Sequence, residues 1–210
     1  MTAPQQSLFP TSPEYATATR ELSVEGLWQR VFTVAPLVIV GSKDPDGTYD
    51  LAPKHMAMPL GWRDAYGFVC TPRHRTYRNI ERHGIFTVSF PRSIQVVQTS
   101  LAASSRDADG AKPELAALPT FPARSVDGVL VHGCYLFLEC ELDRLVELDE
   151  ASLVIGRIIA ASAVEDAIRD PDRDDADLLR HLAPLAYVSP SRFSALDHSQ
   201  SFPFPSSFRR

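Results

Sequence analysis

Arg73, His74 and Arg75 stand directly before Thr76-Tyr77-Arg78-Asn79-Ile80, a short segment that reads as the start of a helix. A helix N-terminus already carries partial positive charge and unpaired backbone N–H groups, so it normally attracts Asp or Glu. Basic side chains at that place repel one another unless an anion lies among them. A phosphate would satisfy the amides and the cations together. A solvated basic turn is the other reading that these residues leave open.

Other chemistry is hard to find. The six histidines lack metal-ligand spacing, and His132-x-Cys134 has no second pair to complete a zinc site. There is no G-x-G-x-x-G after a strand, no phosphate-binding G-x-x-x-x-G-K-[ST] and no G-x-S-x-G elbow. No two carboxylates stand in matched strand-end contexts, so no catalytic acid or base is named. Trp62 and Tyr66 have rings able to stack, but burial in a wall or a subunit interface is the expectation.

The cluster must be positioned by a chain of 210 residues, which suits one domain with a substantial core. The net charge of −5 argues against nucleic acid, whose binders are basic. It makes the basic cluster a local exception and favours a small anionic ligand. No apolar run approaches the ~18 residues that span a bilayer, and residues 1–15 do not read as a secretory signal, so no membrane role and a cytoplasmic location are expected. Cys70, Cys134 and Cys140 lie in apolar, strand-like surroundings and are read as reduced core residues.

Residues 36–41 predict a buried strand, 44–47 a turn in which Gly47 takes positive φ, and 48–52 the second arm of a hairpin. Residues 65–71 predict the next strand. A helix over 76–83 should stop at Gly84, and 85–90 alternate as a strand. Ile94, Val97 and Leu101 have helical spacing. An Ala-rich stretch with Gly110, Pro113, Pro119 and Pro122 predicts a long excursion over the surface. Two β-rich runs, 129–146 and 152–161, follow around an acidic link with hairpin character. Residues 174–181 predict a short helix, and 190–210 a tail that needs a partner surface to be ordered. Many strands without regular βα alternation imply a mainly β protein, an antiparallel barrel with a few short helices.

In this order the features resemble the flavin reductase-like, FMN-binding split-barrel family. The likeness rests on the Asp46-Gly47 hairpin, Leu51-Ala52-Pro53-Lys54-His55-Met56-Ala57, Thr76-x-x-Asn79-Ile80, and Gly84-Ile85-Phe86-Thr87-Val88-Ser89. It continues in Leu138-Glu139-Cys140, Val154-Ile155-Gly156-Arg157-Ile158, Leu185-Ala186-Tyr187-Val188 and Arg192-Phe193, and spans residues 34–197. The resemblance implies a homodimer of six-stranded antiparallel barrels with flavin in a groove near the subunit interface. It implies that Ala52, Pro53, Lys54, His55 and Met56 line the isoalloxazine and ribityl chain. Thr71, His74, Arg75, Thr76 and Asn79 then form the phosphate end, with Tyr187, Arg192 and Phe193 close to the flavin. His55 stands where relatives often have a small hydroxyl residue, and Leu60-Gly61-Trp62-Arg63-Asp64-Ala65 replaces a common Pro-Pro stretch.

The function implied is a flavoprotein oxidoreductase that holds FMN non-covalently and takes electrons from NADH or NADPH, passing them to flavin, a small acceptor or a partner oxygenase. A flavin-binding electron carrier or sensor without reductase turnover is a second reading. A cofactor-free interaction module is a third. The expected organisation is a flexible arm over 1–22, the barrel domain over 23–197 and a C-terminal tail over 198–210.

Overall fold

The computed structural model describes residues 20–205 except 171 and 173. The expected N-terminal arm therefore falls almost wholly outside the described residues, as do residues 206–210 of the tail. The elements are β1 (Thr33–Pro36), β2 (Val38–Lys43), β3 (Tyr49–Lys54), β4 (Ala57–Pro59), β5 (Ala65–Cys70), α1 (Arg75–His83) and β6 (Ile85–Phe90). Then come α2 (Val96–Leu101), β7 (Thr120–Pro122), β8 (Val129–Val131), β9 (Leu136–Leu148), β10 (Ala151–Ala163), α3 (Asp175–Leu182), β11 (Leu185–Ser189) and β12 (Arg192–Ala195).

The main sheet is antiparallel throughout, in the order β3-β2-β6-β9-β10-β5-β4. It holds seven strands where six are expected; β4, three residues long, is an edge strand continued from β3 after the break at His55-Met56. The hairpin of β9 and β10, thirteen residues each, shifts register between Ile155 and Gly156 and between Ile158 and Ala160. Such bulges bend a strand and increase its twist, which curls the sheet.

Both faces of this sheet are covered, and β2 shows why its sequence is continuously apolar. Val38 and Val40 join one core cluster with Tyr66, Phe68, Phe86, Val88, Cys140 and Val154. Ile39, pointing the other way, joins a second with Leu51, Ala102, Leu118, Leu130 and Phe137. A strand alternates its side chains, so two apolar faces need an unbroken apolar run. α1 places Tyr77 and Ile80, one turn apart, into the first cluster. Gly84 ends it in the left-handed region at φ 68°, a conformation that glycine adopts without a Cβ clash.

Five expectations need correction or refinement. The run 129–146 is two strands, β8 and β9, parted by a turn at Gly133 (φ 83°). The excursion after α2 is not confined to the surface: Ala102 and Leu118 are buried in the second cluster, with Leu115 and Phe121 packed on it. The apolar spacing of 94–101 is real, yet Ile94 (85%) and Val97 (69%) are exposed, while Leu101 packs inward. Part of the tail is ordered within the chain, because β12 pairs with β11, which pairs with β1. Trp62 is 92% exposed rather than built into a wall, whereas Tyr66 is buried.

Glu139 anchors the stretch leading into β8. Its carboxylate is buried and accepts hydrogen bonds from the backbone N–H groups of Arg124, Ser125 and Val126 at 3.1, 2.5 and 3.2 Å. Asp127, next in the chain, is held by an ion pair with Lys43 and accepts from the Tyr49 hydroxyl at 2.6 Å.

Candidate functional site

α1 begins at Arg75 with His74 as its N-cap, and no side chain caps its first amides. No acidic residue occupies the first turn. The exposed start of this helix opens onto a cavity of about 710 Å³ bounded by β3, the α1 start and the segment after α2. Six lining residues are Lys or Arg: Lys54, Arg73, Arg75, Arg78, Arg106 and Lys112. Asp50 is the one carboxylate among them, and His74 and Thr76 complete the α1 side.

Two buried acids, Asp44 and Asp50, underlie this cationic surface. One Arg106 nitrogen donates to both, at 2.9 Å to Asp44 and 2.8 Å to Asp50, while its other terminal nitrogen donates to the Gly110 carbonyl at 2.7 Å. Lys112 donates to the carbonyls of Leu51 and Ala102 at 2.8 and 2.6 Å and lies 3.6 Å from Asp50. Arg75 Nε is 3.6 Å from Asp44. Arg106 and Lys112 thus fasten the post-α2 segment to β3. Among the described residues Lys54, Arg73 and Arg78 form no ion pair, and the cavity keeps an excess of positive charge.

The ionisable groups register that excess. Burial lowers the Lys112 pKa, with repulsion from Arg106 and Lys54 adding to it although Asp50 opposes. Burial, then Lys54 and Arg73, lowers the pKa of His74. Burial and Lys54 do the same to His55. A bound anion would relieve the repulsive part of each shift.

A second cavity of about 340 Å³ meets the first at Pro53, which lines both. His55, Tyr187, Arg192, Phe193, Leu37 and Thr99 are among the residues that surround it. The rings of His55 and Tyr187 lie 4.3 Å apart at 32°. Ser191, in the left-handed region at φ 58°, turns β11 into β12 and donates its N–H to the Tyr187 hydroxyl at 2.9 Å, which sets Arg192 and Phe193 beside the ring. Thr99 is 1% exposed and its hydroxyl has no hydrogen-bond partner. A buried orphan hydroxyl on a cavity wall is a ready contact for a polar ligand.

The fold therefore brings Ala52, Pro53, Lys54, His74, Arg75 and Thr76 to one cavity and Pro53, His55, Tyr187 and Arg192 to its neighbour. Met56, Thr71 and Asn79 line neither. Met56 is half-exposed, and the Thr71 carbonyl accepts from the His74 N–H at 2.9 Å. Asn79 is fully buried and donates to Ser42 Oγ at 3.1 Å and Asp44 Oδ1 at 2.8 Å, so its amide braces Asp44 beneath the cations. Arg106, Lys112 and Thr99 escape the sequence reading. The first two sit in an aperiodic segment where only their charge stands out, and Thr99 lies within an ordinary helical pattern.

An antiparallel curled sheet with a cationic cavity at a helix start and an aromatic cavity adjoining it is a frame for a phosphorylated ring compound. Residues 31–194 match the family described as flavin reductase like domain, and since that span is most of the chain, the protein belongs to this family. An uncharacterized protein of Methanothermobacter thermautotrophicus is 27% identical over 165 residues, covering 75% of this chain and 76% of its own. Among solved structures, nitrilotriacetate monooxygenase component B from Bacillus cereus superposes with a TM-score of 0.74 at 17% identity, covering 94% of this chain and 100% of that one. Flavoredoxin of Desulfovibrio vulgaris (Miyazaki F) gives 0.70 at 22% identity, covering 82% and 92%. At such identities these structures show the shared split-barrel fold.

Proposed function

We propose that this protein is a flavoprotein oxidoreductase that binds FMN non-covalently and takes electrons from NADH or NADPH. The observation that carries the reading is the cavity at the uncapped start of α1, where six basic side chains face a single carboxylate in an acidic protein. The residues present fit the group. The first amides of α1 with Arg75, Thr76 and Lys54 hold the phosphate, Ala52 and Pro53 line the path between the cavities, and His55, Tyr187, Arg192 and Thr99 meet the ring end. When bound, FMN supplies the redox chemistry, accepting a hydride and releasing electrons, which accords with a site that has no acid–base dyad. The protein contributes position and charge, and shields the ring from water.

The Bacillus cereus neighbour is a monooxygenase component, and we extend this to a partner oxygenase as one destination of the electrons. Exposed Phe193, which lines the ring cavity, and exposed Ile94 and Val97, close in sequence to its lining residue Val96, favour assembly as a homodimer, which light scattering would measure. A second reading, a flavin-bound electron carrier without turnover, is favoured by the close His55–Tyr187 stack at the smaller cavity, which restricts room for a nicotinamide.

The test is spectroscopic. Protein as purified, or after addition of FMN, shows the absorbance of bound oxidised flavin, and anaerobic NADPH or NADH bleaches it. No flavin uptake would end the proposal. Uptake without bleaching by either nucleotide would favour the carrier.

A further inference from the structure

A separate cavity of about 710 Å³ lies between α1 and the turn joining β9 to β10. Its floor is set by strand register. Ser152 of β10 pairs with Cys70 of β5 on one side and with Glu147 of β9 on the other, so these three residues share one face of the sheet. Val154 continues that face into the core cluster that also holds Tyr77 of α1. Ser152 is 1% exposed and lines the cavity, and its hydroxyl has no hydrogen-bond partner. The walls carry charge of both signs. α1 presents Arg78 and Arg82, one turn apart, with Glu81 beside them, while Glu147 and Asp149 stand on the hairpin side. Among the described residues none of these five side chains forms an ion pair.

From this arrangement we infer that the cavity binds a basic α-amino acid, a ligand of the lysine type with one carboxylate and two separated ammonium groups. A simple anion would meet three carboxylates there, and a simple cation two guanidiniums. A dipolar ligand satisfies both. Its carboxylate accepts from Arg78 and Arg82, while its α-ammonium donates to Glu81 on the same stretch of helix. The three acids exceed the two guanidiniums by one, which calls for a ligand of net positive charge. The distal ammonium therefore crosses to Glu147 and Asp149 and donates to the Ser152 hydroxyl, which gains its missing partner. The aliphatic stem lies along Tyr77. Arg78 also lines the basic cavity, whereas Arg82 lines this one alone of the two.

The full chain, with whatever flavin it holds as purified, is titrated with L-lysine by calorimetry at two temperatures. A dissociation constant of about 1 mM or tighter is expected. Cadaverine, which lacks the carboxylate, and L-norleucine, which lacks the distal ammonium, should each bind about tenfold or more weakly, the scale of one charge-assisted contact. Arg82→Gln should abolish the preference for L-lysine over cadaverine. Glu147→Gln with Asp149→Asn should abolish the preference over L-norleucine. Ser152→Ala should weaken L-lysine by about 2- to 10-fold, yet leave the melting temperature equal or higher, because it deletes a buried hydroxyl that is unpaired in the free protein. A flat titration at both temperatures would overturn the inference. So would equal affinity for the three ligands, or L-lysine binding that none of these variants alters, since the ligand would then lie elsewhere.

Discussion

At the scale of single residues the site divides into cations that are spent and cations that are spare. Arg106 and Lys112 use their donors on Asp44, Asp50 and backbone carbonyls, so they hold the cavity wall. Arg75 makes only a 3.6 Å approach to Asp44 through Nε. Arg75→Ala should therefore weaken FMN binding by about 10- to 150-fold, the equivalent of one charge-assisted contact; fluorescence titration measures it, and an unchanged constant would remove Arg75 from the phosphate site. His74 supplies a pH signature. Its pKa is held down by burial, Lys54 and Arg73. A dianion placed among those cations raises it, so the complex holds more protons than the free protein and binding takes up protons. Affinity then rises as pH falls through the raised pKa of the complex and levels off only below the lowered pKa of the free protein, which lies under the ordinary histidine value. Calorimetry in buffers of different ionisation enthalpy should show uptake for the wild type and its loss in His74→Asn. Much of this scale was legible in the sequence, because three consecutive residues place the charge at a helix start. Asn79 was legible as part of a pattern, but its inward direction depends on Ser42 and Asp44, more than thirty residues away.

At the scale of elements, β2, β3, β5, β6, β10 and α1 follow local rules of alternation, capping and turn chemistry, and their positions agree with the sequence reading to within a few residues. The segments joining α2 to β9 do not. They carry no period, and their order comes from side chains that reach distant strands: Leu118 into the second core, Lys112 to Leu51, and the amides of 124–126 to Glu139. Glu139→Ala leaves three backbone N–H groups without their acceptor. We expect a loss of about 3 kcal/mol, a few hydrogen bonds to a charged group with one side relieved by water. Chemical denaturation measures the loss, and faster proteolysis near residues 124–126 should accompany it.

At the scale of the whole molecule, charge is arranged against its own average. The chain bears a net charge of −5, yet one cavity gathers six of its basic side chains. FMN affinity should therefore fall as salt rises through ~0.1 M, where the screening length is about 10 Å, while riboflavin, which lacks the phosphate, should respond much less. Equal salt dependence of the two ligands would mean that the cavity does not read the phosphate. By itself the sequence determined the strand-rich class, α1 with its stop at Gly84 and the cationic start of that helix, since each depends on residues within a turn or two of one another. Only the tertiary structure decided that Arg106, Lys112 and Thr99 join the site, that Asn79 turns away from it, and that a second cavity meets the first at Pro53. Those outcomes depend on curling a seven-stranded sheet and folding a patternless segment back across it. The contacts that direct such folding lie between residues far apart in the chain, where periodicity and capping carry no signal.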